Sequence, residues 1–144
     1  SGHGTQTLTE ALMNSCNVAM MQIGAKTGLE RFYQFTKAFG MVEQTGIDLP
    51  GESKGQFPDP DSDKWNEVSL ATASFGQRFT VTPLQELNMV CAIVDDGKLK
   101  KPYVVKEILN RDGSVKSTKQ TEVVRQVISE DCNLGAAARK GCRG

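Results

Sequence analysis

A single histidine, His3, and four scattered cysteines leave this 144-residue chain little material for a metal centre or a disulfide scaffold. Cys16, Cys91, Cys132 and Cys142 match no zinc-ligand spacing. Cys16 and Cys91 read as small buried apolar residues. Cys132 and Cys142 are spaced so that a loop could join them, and the sequence leaves that pairing and the redox compartment open. His3 lies in Gly2-His3-Gly4, outside any periodic element, whereas a general base needs a fixed position within reach of its proton. An excess of either charge is also missing, because 17 Lys and Arg balance 17 Asp and Glu. That balance removes any global electrostatic reason to expect nucleic acid or an anionic membrane as partner. No apolar run reaches the roughly 18 residues of a membrane span, and neither a signal-peptide pattern nor an internal repeat is present. The chain has no Gly-x-Ser-x-Gly elbow, no phosphate-binding glycine loop and no Ser-x-x-Lys. No cofactor and no metal are therefore expected.

What is present suits a soluble globular chain long enough to bury a core: 38% of residues are apolar and 24% charged. The stretch 8–23 carries two short apolar helical patterns that meet at a polar corner, Ser15-Cys16-Asn17. Thr7 and Glu10 have capping-box spacing and start the first helix, with Leu8, Leu12 and Ala11 marking its buried side. Val18, Met21 and Gln22 begin the next turn beyond the corner. The Ser15 hydroxyl and Asn17 amide must find partners if they lie between packed helices, because a dry unpaired polar group costs about 1–3 kcal/mol. They can pair locally or face a cleft, and the pattern permits either.

Further along, Thr27 and Glu30 repeat the capping spacing ahead of a helix carrying Leu29, Phe32, Tyr33, Thr36 and Phe39, which Gly40 can end. Its aromatic stripe reads as core. Residues 41–64 are dense in turn signals, leaving room only for a short strand near Gly46–Leu49. Asp59, Asp61 and Asp63 resemble the start of a calcium loop but lack its glycine and terminal glutamate. A partly buried helix or turn is expected over Trp65–Ala73. Thr82, Pro83 and Gln85 then give the clearest helix start, with Leu84, Leu87, Val90, Cys91 and Val94 on one apolar face ending at Asp95-Asp96-Gly97. Beyond Lys100, Tyr103–Leu109 is strand-like, Asn110-Arg111-Asp112-Gly113 supplies a hairpin turn, and Val115–Thr121 returns. Residues 122–128 add an extended piece.

Three dissimilar segments, in order, carry a resemblance to a known family. Gly2-His3-Gly4-Thr5-Gln6-Thr7-Leu8-Thr9-Glu10-Ala11-Leu12 followed by Ser15-Cys16-Asn17 resembles the approach to the Ser-x-Asn motif of class B penicillin-binding proteins. Phe39-Gly40 with Thr45-Gly46-Ile47-Asp48-Leu49-Pro50-Gly51-Glu52, and Ser74-Phe75-Gly76-Gln77 with Val81-Thr82-Pro83-Leu84-Gln85, resemble two later stretches of that family. The resemblance covers residues 2–130. It implies an incomplete fragment of the α/β transpeptidase fold shared with β-lactamases: mainly α with a small β-hairpin region. The implied domain boundaries are a helical part over 1–97, a hairpin and extended region over 98–130, and an atypical tail over 131–144 that is expected to fray.

The resemblance further implies a parent protein that is a serine-type peptidoglycan D,D-transpeptidase, acting on stem peptides and trapped by β-lactams at the outer face of the bacterial cytoplasmic membrane. Ser15 would relay a proton without being the nucleophile, and Asn17 would bind the substrate amide. The family's Ser-x-x-Lys precedes Ser-x-Asn, and its strand-borne Lys-Thr-Gly follows the region equivalent to residue 130. Lys26-Thr27-Gly28 spells the second motif, but it lies between helices only nine residues after Asn17. The segment alone is thus expected to be soluble and inactive, with self-association through exposed apolar helix surface. The other reading is a noncatalytic protein-interaction module built on the 103–121 hairpin.

Overall fold

The expected capping chemistry at Thr7 and Thr82 sets two helix starts in the computed structural model, which describes residues 4–129. The chain divides into two compact units. One comprises the chain up to Phe35 together with Gln56–Thr80, and the other comprises Thr36–Gly55 and the chain from Val81 onward.

In the first unit, Thr7 Oγ1 accepts the Glu10 N–H (3.2 Å) and Glu10 Oε2 accepts the Thr7 N–H (2.8 Å), which opens α1, Leu8–Met13. After the corner, α2 runs from Asn17 to Thr27. The first turns of α3, Leu29–Ala38, and the whole of α4, Glu67–Ala73, complete the helices of this unit. Its core is Trp65, Leu70 and Ala73, against which Leu29, Phe32, Tyr33, Phe57 and Phe79 pack. The ring centroids of Phe57 lie 5.6 Å from Trp65 and 5.2 Å from Phe79, and Phe32 lies 6.0 Å from Trp65. These tilted aromatic contacts add about 0.5–1.5 kcal/mol each to plain burial. The aromatic stripe of α3 is core at Phe32 and Tyr33, while Phe35 is exposed.

Three expectations for this unit are overturned. Leu8 and Leu12 are 70% and 71% exposed, and of the α1 residues only Ala11 is buried. No described element covers their side, so an apolar period does not become a buried face. Thr27 does not cap α3: its hydroxyl donates to the Ile23 carbonyl (2.9 Å) inside α2, and Gly28, at φ +81°, makes the break. Cys16 is half-buried rather than buried.

The second unit holds α5, Pro83–Val94, and four short strands: β1 (Lys98–Lys100), β2 (Glu107–Leu109), β3 (Val115–Thr118) and β4 (Val123–Gln126). β1 pairs antiparallel with β4, Leu99 opposite Arg125, and β2 pairs antiparallel with β3 through the expected turn, Ile108 opposite Ser117. Gly97, at φ +73°, precedes β1, and any Cβ there would lie 2.2 Å from the Ile128 carbonyl oxygen. Only Ala92 and Leu99 are buried apolar residues among the described part of this unit.

Polar side chains bonded to backbone do much of the holding instead. Gln85 is 1% exposed. Its Oε1 accepts the N–H groups of Thr82 (2.8 Å) and Gly55 (3.1 Å), while Nε2 donates to the carbonyls of Met41 (3.2 Å) and Glu43 (2.7 Å). One carboxamide thus completes a helix cap and ties both ends of the 41–55 loop to α5. Each buried group left without such a partner would cost about 1–3 kcal/mol.

The loop differs from expectation for the same reason. No strand forms at Gly46–Leu49, because the N–H groups of Thr45 (2.7 Å) and Gly46 (2.9 Å) donate to the Glu52 carboxylate. The strand expected over Tyr103–Leu109 is confined to its last three residues. The Val104 and Val105 N–H groups donate to the two Asp48 carboxylate oxygens at 2.8 and 3.1 Å. The apolar face expected on α5 is rotated away from burial: Gln85 and Ala92 are buried, whereas Leu87, Val90, Cys91 and Val94 are exposed. Cys91 is therefore not the buried apolar residue it was expected to be.

Candidate active site

The polar corner of the first unit is built from the backbone outward. Asn14 caps α1 with its N–H on the Glu10 carbonyl, Ser15 N–H donates to Leu12 O (3.0 Å), and Cys16 N–H donates to Ala11 O (2.9 Å). These bonds fold the chain back sharply. Ser15 sits at φ +46°, in the left-handed region that a side-chain-bearing residue enters at a cost of roughly 1–3 kcal/mol. α2 begins at the next turn, with Met20 N–H donating to Cys16 O (3.0 Å). Ser15 and Asn17 are both exposed and flank the half-buried Cys16. No hydrogen bond joins either side chain to another described residue, and both are exposed.

The corner needs a fixed base, and α2 supplies it by lying close on α4. A Cβ built on Gly24 would fall 1.8 Å from Ser74 Oγ and 2.8 Å from Ser74 Cβ. The Ser74 hydroxyl is itself fixed, donating to the Leu70 carbonyl (2.7 Å). A glycine inside a helix costs about 1 kcal/mol relative to alanine, so its presence at mid-helix signals a close approach. That signal is legible in the sequence as a glycine inside an apolar helical pattern, but it does not name the partner, Ser74.

The remaining candidates fall elsewhere. Lys26-Thr27-Gly28 forms the C-terminal end of α2 and is not on a strand. Asp59, Asp61 and Asp63 lie in a turn, where Asp59 Oδ1 accepts the Asp61 N–H (3.0 Å) and the Asp59 carbonyl accepts from Ser62. His3, Cys132, Cys142 and the tail over 131–144 lie outside the described residues.

The other motif segments serve local structure. Ser74-Phe75-Gly76-Gln77 ends α4: Gly76, at φ +87°, donates its N–H to Ala73 O (2.9 Å), and Gln77 N–H donates to Thr72 O (3.0 Å). In the second unit, burial pushes the Glu52 carboxyl upward. Its bonds from the Thr45 hydroxyl and from the backbone of Thr45, Gly46 and Ile47 outweigh that effect and hold it below its ordinary range. The Val104 N–H is the main cause that lowers Asp48.

The penicillin-binding protein transpeptidase domain is the family whose model matches residues 1–132. The chain is 39% identical over 132 residues to stage V sporulation protein D of Bacillus subtilis, covering 90% of this chain and 20% of that protein. Among solved structures, it is 33% identical to a peptidoglycan synthetase from Bifidobacterium adolescentis, with a TM-score of 0.77 over 88% of this chain and 23% of that one. It is 31% identical to penicillin-binding protein 3 from Mycobacterium tuberculosis in complex with aztreonam, with a TM-score of 0.68 over 81% and 25%. The chain spans about 20% of the length of the curated relatives it matches first.

The Gly24–Ser74 contact yields a size-swap test. Gly24→Ala should lower stability by about 1–3 kcal/mol in urea unfolding, the usual cost of overpacking, despite its better helix propensity. Adding Ser74→Gly should recover most of the loss. A Gly24→Ala variant as stable as the parent would show that α2 and α4 do not approach this closely.

Proposed function

Because this chain belongs to the penicillin-binding protein transpeptidase domain family, we propose that it is the Ser-x-Asn-bearing, mainly helical part of a peptidoglycan D,D-transpeptidase. The implied boundaries are 1–97 for the helical part, 98–130 for the hairpin and extended region, and 131–144 for an atypical tail. The observation that carries the reading is the corner itself. Ser15 and Asn17 are presented outward on either side of Cys16, on a turn strained at Ser15. Strain of this kind gathers at functional positions, where surrounding structure holds it in place.

In the proposed mechanism the nucleophile is a serine of a Ser-x-x-Lys motif, a motif this sequence does not contain. That serine attacks the penultimate D-alanine carbonyl of a stem peptide, expels the terminal D-alanine and forms an acyl-enzyme, which the acceptor amine then resolves. The Ser15 hydroxyl can accept and donate a proton, which suits a relay toward the leaving amine. It has no described base beside it, so it is not itself activated for attack. The Asn17 carboxamide offers both a donor and an acceptor, matching a substrate or β-lactam amide. The aztreonam complex of the related penicillin-binding protein 3 supports β-lactams as ligands of the parent. The parent is placed at the outer face of the bacterial cytoplasmic membrane; among the described residues no helix is long and apolar enough to cross a membrane.

In a transpeptidase carrying this segment, Ser15→Ala should slow penicillin acylation by about 10²–10⁴-fold, the worth of a positioned proton-transfer group. Asn17→Ala should weaken it about tenfold, as expected for one lost hydrogen bond. The covalent adduct should map to a serine other than Ser15. Peptide mass spectrometry that placed the adduct on Ser15, or a Ser15→Ala variant acylating at the parent rate, would contradict the assignment.

The isolated chain also leaves apolar surface uncovered on α1, at Leu8, Leu12 and Met13, and on α5, at Leu87, Val90 and Val94. Surface of that kind supports self-association. Sedimentation velocity should show growth of larger species with concentration; a monomer at every concentration would count against it.

A further inference from the structure

A concavity of about 400 Å³ opens in the first unit, lined by Gln56, Phe57, Pro58, Lys64 and Arg78. Two of these five residues are cations, and neither Lys64 nor Arg78 forms an ion pair with a described carboxylate. Asp59, Asp61 and Asp63 stand in the neighbouring turn but do not line the concavity, and Asp59 spends an oxygen on the Asp61 N–H. Both cations thus stand without an ion pair beside an aromatic ring and a proline.

Arg78 is also strained. Its backbone lies at φ +69°, which costs a residue with a Cβ roughly 1–2 kcal/mol and would cost glycine nothing. An arginine at such a position is explained if its guanidinium is used. That group is anchored: Nη1 donates to Ser69 Oγ (3.1 Å), and Ser69 is 0% exposed. The same Ser69 hydroxyl donates to the Lys64 carbonyl. One buried oxygen thus pins the backbone of one cationic residue and the head group of the other, and no other described residue bonds the guanidinium.

The geometry points to a binding site for the carboxylate of a peptide. A guanidinium fork and an ammonium match a carboxylate in charge and shape, while Phe57 and Pro58 supply an apolar wall for the atoms beside it. The site uses neither Ser15 nor Asn17, so it can fail without affecting the proposed function, and the reverse holds as well.

Titration calorimetry of the whole chain with an N-acetylated dipeptide tests it. The free acid should bind, with an affinity that falls as salt rises, and its C-terminal amide should bind at least about tenfold more weakly. Arg78→Gly removes the guanidinium while suiting the backbone; it should reduce binding of the acid by about threefold or more, with no loss of unfolding midpoint. Lys64→Gln should also weaken the acid, and Asn17→Ala should leave it unchanged. Equal binding of acid and amide, unchanged affinity in Arg78→Gly, no binding at all, or loss in Asn17→Ala would overturn the assignment. So would inorganic phosphate binding more tightly than the peptide acid, which would make a free oxyanion the ligand.

Discussion

The missing side chain at Gly24 is the constraint on which the candidate site depends. It lets α2 settle on α4 at a distance that any Cβ would forbid. α4 is in turn anchored by Leu70 and Ala73 in the Trp65 core. A corner of three residues cannot hold an outward hydroxyl and an outward amide in register unless the helix that follows is fixed. Here the aromatic core fixes α4, the close crossing fixes α2, and the α1 carbonyls catch the N–H groups of Ser15 and Cys16. Packing energy is thereby converted into position for two polar groups that contribute no packing themselves.

The second unit follows a different physical logic. With only Ala92 and Leu99 buried as apolar residues among those described, it relies on three side chains that bond to backbone. Gln85 binds the loop ends, Glu52 closes the loop on itself, and Asp48 holds Val104 and Val105. This gives a physical reading of the motif segments in this unit. Thr45-Gly46 with Glu52 spells a carboxylate cage, and Thr82-Pro83 with Gln85 spells a helix start whose capping residue also binds two distant carbonyls. Charge-assisted and fully satisfied bonds of this type are the stronger ones.

How much of this was legible depended on range. The capping boxes at Thr7 and Thr82, the stop at Gly40 and the hairpin turn at Asn110–Gly113 are local chemistry and were readable from spacing. The buried faces were not. Periodicity marked Leu87, Val90 and Val94 as a core stripe, yet burial went to Gln85 and Ala92, because burial depends on which element covers a helix. The strand expected from Tyr103 begins only at Glu107, with the Val104 and Val105 N–H groups held by the Asp48 carboxylate, 56 and 57 positions earlier in the chain. The close approach at Gly24 could not be read from sequence, because its partner, Ser74, is 50 positions away. Ser15 and Asn17 stood out through motif resemblance, since a serine–asparagine helix break writes the same letters. The strained φ at Ser15 and at Arg78 is invisible to any pattern of residue types.

The central claim is that Ser15 belongs to a serine acyl-transfer site as a relay and not as its nucleophile. The most direct measurement is the intact mass of this 144-residue chain after incubation with a reactive penicillin, beside its Ser15→Ala variant. The account predicts an unchanged mass for both. A stoichiometric adduct on the parent chain that disappears in Ser15→Ala would contradict it, because Ser15 would then be the attacking residue.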